Sequence, residues 1–393
     1  MVSTKTDIQE VSAISSSMRR KLISTFVLGA GTLALAACGG GGSDGSSVAD
    51  AVANRQRRGA SGSKSASSSS AASAATPASS ASTTGSQGTG NTSTNGVLLD
   101  TSFGVKGDGT TNDRVALQAA IDGSVGQILL ITGNSRIDVT GLTLHTNSHI
   151  RFAQGALIKL LAHNSSDYQI MRVWDVNNVI IEAPYLDGSK ELNSATSGES
   201  GMGISIAGAT NVTISSPTTI DCWGDGIYIA NSYSGNNAVS TTLAISNHIA
   251  NGCRRQGATI TSGNGVTFTN PLWENIGGTS PQCGLDIEPD DNHAVLQGIK
   301  IVSPTTTNCL GAGIQVYLGS LPGPVAKTVD IQITNHTDTG SPGGSYGVGG
   351  LVLNGDTVTG AVTSTNPVWK TNWYFGQWDS AGPKVTVVNP TVA

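Results

Sequence analysis

Between residues 177 and 334 apolar and polar positions alternate in short bursts, and the bursts recur. One unit is a polar residue, an apolar alternation and then often proline: "NNVIIEAP" at 177, "TNVTISSP" at 210, "TTLAISNH" at 241, "NGVTFTNP" at 264, "QGIKIVSP" at 297 and "KTVDIQIT" at 327. A second unit is glycine followed by apolar, polar, apolar: "GISI" at 203, "GIYI" at 226, "GATI" at 257, "GLDI" at 284, "GIQV" at 313 and "GLVL" at 350. Successive glycines lie 23, 31, 27, 29 and 37 residues apart. Strict alternation marks strands with one face buried. No 3.6-residue pattern runs between 125 and 360, which excludes helical repeats. A period of this length with at least two short strands means a stacked array, and the four-strand signature of propeller blades is absent. The pattern predicts an all-β parallel β-helix, each coil about 4.8 Å above the last, with like residues in ladders. Ile204, Ile206, Ile227, Ile229, Ile260, Leu285, Ile287, Ile314 and Val316 are expected inside.

The N-terminal edge of this array, "FGVKGDGTTNDRVALQAAID" at 103–122, resembles the opening segment of the pectate lyase superfamily, the rhamnogalacturonase/epimerase-like proteins. The resemblance implies a right-handed single-stranded parallel β-helix over 97 to about 360, with a short helix capping the first coil. Asn112 or Asp113 suits the helix N-cap. The motif carries no catalytic residue, and without GxGxxG or a Walker lysine it is not a phosphate loop.

The ends of the chain differ in character. From Met18, the expected true start, it reads "MRRKLISTFVLGAGTLALAAC": a basic start, an apolar run and small residues, the form of a secretory signal. "LAAC" resembles the lipobox of bacterial lipoproteins. That resemblance implies lipidation of Cys38 and anchoring at the outer membrane, periplasmic or at the cell surface. Residues 1–38 are thus the signal segment. Residues 39–95 are Gly, Ser, Ala and Thr with almost no large apolar side chain, a flexible tether. Residues 96–393 form the one large domain. There 13 Lys and Arg face 22 Asp and Glu, a net of −9, which argues against nucleic acid. The domain is expected as a monomer or homotrimer. Cys222, Cys253 and Cys309 each precede their repeat glycine by four residues, so they form one inward ladder, expected as buried thiols, with a Cys222–Cys253 disulfide between adjacent coils as the alternative.

Aligning the second units places Ser205, Tyr228, Thr259, Asp286, Gln315 and Val352 in one outward column. "GLDIEPDDN" at 284–292 then concentrates four carboxylates in a chain that is only 12% charged. Asp286 and Glu288 leave the same strand on the same side. "RRQG" brings Arg254, Arg255 and Gln256 one coil earlier, and "DCWGDG" brings Asp221, Trp223 and Asp225 two coils earlier. Asp286, Glu288, Asp225 and Arg255 are the candidate catalytic residues. Trp223, Tyr228, Gln256, Arg254 and Gln315 are the candidate substrate-binding residues, since aromatic faces suit sugar C–H surfaces. Glu288 is expected as the acid, raised by its neighbours, and Asp286 as a base kept ionised by Arg255. Asp290 and Asp291 have turn composition. The cluster Trp369, Trp373, Tyr374, Phe375 and Trp378 is expected to plug the last coil.

Paired carboxylates suit hydrolysis of a polysaccharide, one protonating the leaving oxygen and one activating water, with no metal or other cofactor. The alternative enzyme is a lyase of uronate-containing glycans, with Ca²⁺ on Asp286, Glu288 and Asp290 and Arg255 as base. The third possibility is a surface adhesin that binds polysaccharide without turnover. "GDGI" at 224 resembles the Asp-Gly signature of polygalacturonases, but the other motifs of those enzymes are missing.

Overall fold

A computed structural model describes residues 96–392. The expected signal segment, Cys38 and the tether lie outside these residues. The described chain is an all-β parallel solenoid of about nine turns with little helix. Each full coil contributes one strand to each of three sheets, of 12, 11 and 9 strands, and every strand pairing is parallel. One coil, for instance, runs Thr210–Ser215 in the first sheet, Thr218–Ile220 in the second and Asp225–Ala230 in the third. The alternation legible in the sequence supplies the first and third sheets. The second sheet, two or three residues per coil through most of its length, is too short to show a period.

The inward residues behave as their pattern dictates. Ile204, Ile206, Ile227, Ile229, Ile260, Leu285, Ile287, Ile314 and Val316 are all fully buried. Cys222, Cys253 and Cys309 are buried free thiols, with Ile276 as the fourth member of their ladder.

The corners have a chemical signature. From Asn177–Glu182 onward the long first-sheet strands are followed by a residue with left-handed φ near +50°: Ala183, Ser216, Asn247, Asn270, Ser303, Asn335, Asn366 and Asn389. Asparagine tolerates this region, and proline cannot extend the strand beyond it. Proline follows in most coils. Where it does not, His248 and His336 stand in its place and turn into the core. His248 accepts from Trp273 Nε1 at 3.1 Å and meets Thr219 Oγ1 at 2.9 Å. His336 repeats the arrangement with Trp369 at 3.0 Å and Thr306 at 2.8 Å. Burial lowers the His248 pKa to about 3 and that of His336 to about 4, so both are neutral.

The repeat glycines need no unusual φ; they are short of room. A Cβ on Gly257 would lie 2.5 Å from Gly284 O of the next coil and 2.6 Å from Trp273 Cδ1 of the second sheet. Gly203 and Gly284 face the next coil's carbonyl at 2.6 Å and Gly313 at 2.7 Å. The third sheet therefore rests directly on the second at this column.

Two expectations change. The sixth repeat is not "GLVL": Ile314 pairs with Tyr346 and Gln315 with Gly347, so Ser345 takes the glycine's register and Gly347, not Val352, takes the outward one. Ser345 follows Asp338 by the same seven residues that separate Gly313 from Thr306, so "GLVL" lies five residues beyond the true register. The capping helix is not supported in the form expected. A short helix, Arg114–Gly123, buries Leu117, Ala120 and Ile121, while its Gln118 amide pairs with the backbone of Thr143 at the edge of the third sheet. Asp113 precedes that helix but makes no side-chain cap bond; its carboxylate accepts from Lys106 and Gly107 N instead.

Gly257→Ala forces the carbonyl of Gly284 or the Trp273 indole to move. It is expected to cost about 1–3 kcal/mol or more. An unchanged midpoint in chemical denaturation would remove the close approach as a constraint.

Candidate functional site

The third sheet presents its outward column along successive coils: Arg172, Ser205, Tyr228, Thr259, Asp286, Gln315, Gly347 and Tyr374 pair one to the next. These positions face away from the core, yet Ser205, Tyr228, Thr259 and Asp286 are themselves buried under neighbouring side chains and loops. The column is a floor, and the accessible chemistry stands around it.

Arg255 is the hub. It enters just before the strand Gln256–Ile260 and is 8% exposed. Its Nε lies 3.1 Å from Glu199 Oε2, Nη1 lies 3.3 Å from Asp225 Oδ2 and Nη2 lies 3.7 Å from Glu288 Oε2. Burial works against its charge, but Asp225, Asp286 and Glu199 outweigh that and raise its pKa further. Asp225 is fully buried and also accepts from Thr259 Oγ1 at 2.9 Å.

Asp286 is 0% exposed. It accepts from Gln256 Nε2 at 2.9 Å and from Gln315 Nε2 at 3.2 Å. Each carboxamide is oriented by a second bond: Cys283 N donates to Gln256 Oε1 at 2.8 Å, and Tyr374 OH donates to Gln315 Oε1 at 2.9 Å. Burial raises the Asp286 pKa well above the carboxylate range. The charge of Glu288 and a hydrogen bond to it add to the rise, and Arg255 only partly offsets it. The expected assignment of Asp286 as the carboxylate kept ionised by Arg255 is therefore reversed. Desolvation outweighs the guanidinium, so the shift runs toward the protonated form.

Of the residues singled out from sequence, Arg255, Asp225, Gln256, Asp286, Glu288 and Gln315 come together here. Tyr228 joins from the side: its hydroxyl donates to Asp290 Oδ2 at 3.3 Å. Trp223 and Arg254 form a neighbouring unit. The guanidinium lies 4.2 Å over the indole and donates to Gly198 O. Asp221, expected at the same edge, pairs with Lys190 at 3.1 Å instead. Asp291 pairs with His293 in the turn its composition suggests.

Two residues escaped the sequence analysis. Glu199 belongs to the non-repeating stretch after Asp187, so no periodicity marks it. Tyr374 was grouped with the C-terminal aromatics. Trp369 of that group is buried against Tyr346 and Phe375 packs on Trp373 and Trp378, but Tyr374 is in the outward register and closes over Gly347 to reach Gln315.

No family model matches the chain. The uncharacterized protein YclG of Bacillus subtilis (strain 168) is 26% identical over 220 residues, 49% of this chain and 38% of that protein. The match thus spans well under half of that relative's length. Among solved structures, an iota-carrageenase complexed to iota-carrageenan fragments superposes with a TM-score of 0.57 at 13% identity, covering 75% of this chain and 88% of that one. PfbA, a surface adhesin of Streptococcus pneumoniae, gives 0.50 at 14% over 75% and 85%. The N-terminal fragment of gene product 12 of bacteriophage Phi29 gives 0.50 at 19% over 69% and 47%. At such identities the likeness is one of fold: the protein is a parallel β-solenoid whose structural neighbours include pectate lyase-like β-helix proteins.

Proposed function

We propose that the outward face of the third sheet binds a polysaccharide and hydrolyses its glycosidic bonds. The observation that carries this is the pair Glu199 and Glu288, each with its side chain one-third exposed, on one buried guanidinium beside a carboxyl that keeps its proton. The two carboxyl groups contact different nitrogens of one guanidinium, and glycosidases work with a carboxyl pair about 5–9.5 Å apart. Glu288, the outer member of the Asp286–Glu288 pair, protonates the leaving oxygen. Glu199, on Arg255 Nε, takes the proton of the attacking water. Asp225, Gln256 and Gln315 hold Arg255 and Asp286 in place. The carrageenase of the same fold, which holds carrageenan fragments, supports a polysaccharide as the class of ligand. The lyase alternative asks Arg255 to act as base, and a guanidinium gripped by three carboxylates does not give up its proton. No step here is routed through a metal.

Glu288→Gln and Glu199→Gln are each expected to lower the release of reducing ends by about 10²-fold or more. Chelator should leave the wild-type rate unchanged. A product absorbing in the ultraviolet, with loss of activity in chelator, would instead establish the calcium-assisted lyase. Polymer binding without reducing ends would establish the adhesin.

The protonated Asp286 gives a separate expectation for stability. Its folded-state pKa is raised, so its contribution is full below the ordinary aspartate value near 3.9 and is lost as pH rises through the folded-state value. Asp286→Asn should therefore gain melting temperature over wild type at pH 7–8 and gain little at pH 4. A gain that is the same at both pH values would mean the carboxyl is ionised.

We further propose that the protein is lipid-anchored at the outer membrane through Cys38, on the strength of "LAAC" and the tether after it. Cys38→Ser should shift the protein to the soluble fraction or leave it unprocessed. A wild-type protein found soluble and unlipidated would refute this.

A further inference from the structure

The outward face of the third sheet carries aromatic rings on both sides of Arg255, at a distance from it. On one side is Trp174, two residues past Arg172 and so on the same outward face. Its Nε1 donates to Ser205 Oγ at 2.9 Å, the Arg172 guanidinium lies 5.4 Å from the ring, and Tyr233 packs edge-on with centroids 5.0 Å apart. Tyr233 is 54% exposed. The next two coils place only Ala207 and Ala230 in register with Trp174. On the other side stand Tyr317, 41% exposed, and Tyr374, 39% exposed. The Tyr317 ring crosses Gly319, where a Cβ would meet its Cε1 at 2.6 Å. Tyr374 is tied through Gln315 to Asp286. From the strand of Trp174 to that of Tyr374 there are seven strand steps, about 34 Å at roughly 4.8 Å each. Held this way, the rings lose little freedom when a flat apolar surface is laid on them.

The charges of the same face restrict what that surface belongs to. Among the described residues, its arginines are engaged. Arg255 meets three carboxylates, Arg254 lies on Trp223 and bonds Gly198 O, and Arg172 bonds Thr140 O beside Trp174. Glu199, Glu288 and Asp290 stand nearby, while Arg254 and Arg172 already donate to backbone carbonyls, so a uronate or sulfate at the centre of the face would meet carboxylates around the one buried guanidinium.

We propose that Trp174 with Tyr233, and Tyr317 with Tyr374, are two stacking stations for one glycan of uncharged sugars that runs along the solenoid axis across the carboxylates. This rests on the polysaccharide reading of the same face and adds the charge class of the substrate and its direction of travel.

Affinity electrophoresis of the whole chain tests it, in gels containing neutral polymers (galactan, xylan, mannan), anionic ones (polygalacturonate, alginate, iota-carrageenan) or chitosan. Wild type should be retarded by at least one neutral polymer. Trp174→Ala and Tyr317→Ala should each weaken that retardation about fivefold or more, and Trp174→Phe should restore most of it. On that polymer the alanine variants should raise KM with kcat unchanged, and oligosaccharides too short to span the stations should show no difference. Melting curves check the fold. If Trp174→Ala melts early, Tyr317→Ala decides. Retardation by no neutral polymer, a preference for anionic polymers, or alanine variants that match wild type would each overturn the proposal. Retardation that depends on the rings but yields no reducing ends would leave the stations standing and remove the hydrolase. Cleavage with unaltered variants would do the reverse.

Discussion

The close approach of the third sheet to the second along the repeat glycines is the constraint on which the rest depends. At Gly203, Gly257, Gly284 and Gly313 the next coil's carbonyl stands where a side chain would begin, and Trp273 or a threonine of the second sheet closes the other side. At these four steps only glycine fits, so the backbone of these coils is held at one height and one register on its neighbour. A slip by one residue would turn every isoleucine of the third sheet outward. The register is therefore strongly specified, and it is the register that carries Asp225, Gln256 and Asp286 onto consecutive steps.

On that scaffold the outward face is organised by one cation. Arg255 is buried and meets Asp225, Glu199 and Glu288, while burial raises the pKa of nearby Asp286. A buried guanidinium is tolerable only where carboxylates surround it, and a group of buried carboxylates is tolerable only where a cation or a retained proton reduces their charge. The two requirements are met together. The result is a compact set of acids in two states, a bound proton beside held carboxylates, with Gln256 and Gln315 orienting the protonated member. The partly exposed Glu199 and Glu288 are the members positioned to meet a ligand.

Much of this was legible in the sequence. The glycine-led alternation named the buried aliphatic residues, and five of the six positions in the outward column lie where the alignment of repeats puts them. Grouping Asp286, Glu288, Arg255, Gln256 and Asp225 followed from the same alignment, because in a parallel solenoid equal phase means adjacency in space. Three things were hidden. Glu199 sits in a stretch without period. The sixth repeat lost its glycine to Ser345, so "GLVL" offered a false match five residues on. Tyr374 reached the face by folding over Gly347, a contact no spacing records. The protonation of Asp286 was misjudged because sequence shows which charges are near but not how much water remains.

By itself the sequence determined the parallel stacking and the inward faces of the first and third sheets. It also determined the left-handed corners where asparagine, serine or alanine precedes proline or histidine. These follow from local sterics and from alternation, which act within a few residues. The tertiary structure alone decided which outward side chains are accessible, which carboxyl keeps its proton and which loop residue completes the set. Those outcomes depend on desolvation and on contacts such as Arg255 with Glu199, 56 residues apart, and neither quantity exists until the coils are stacked.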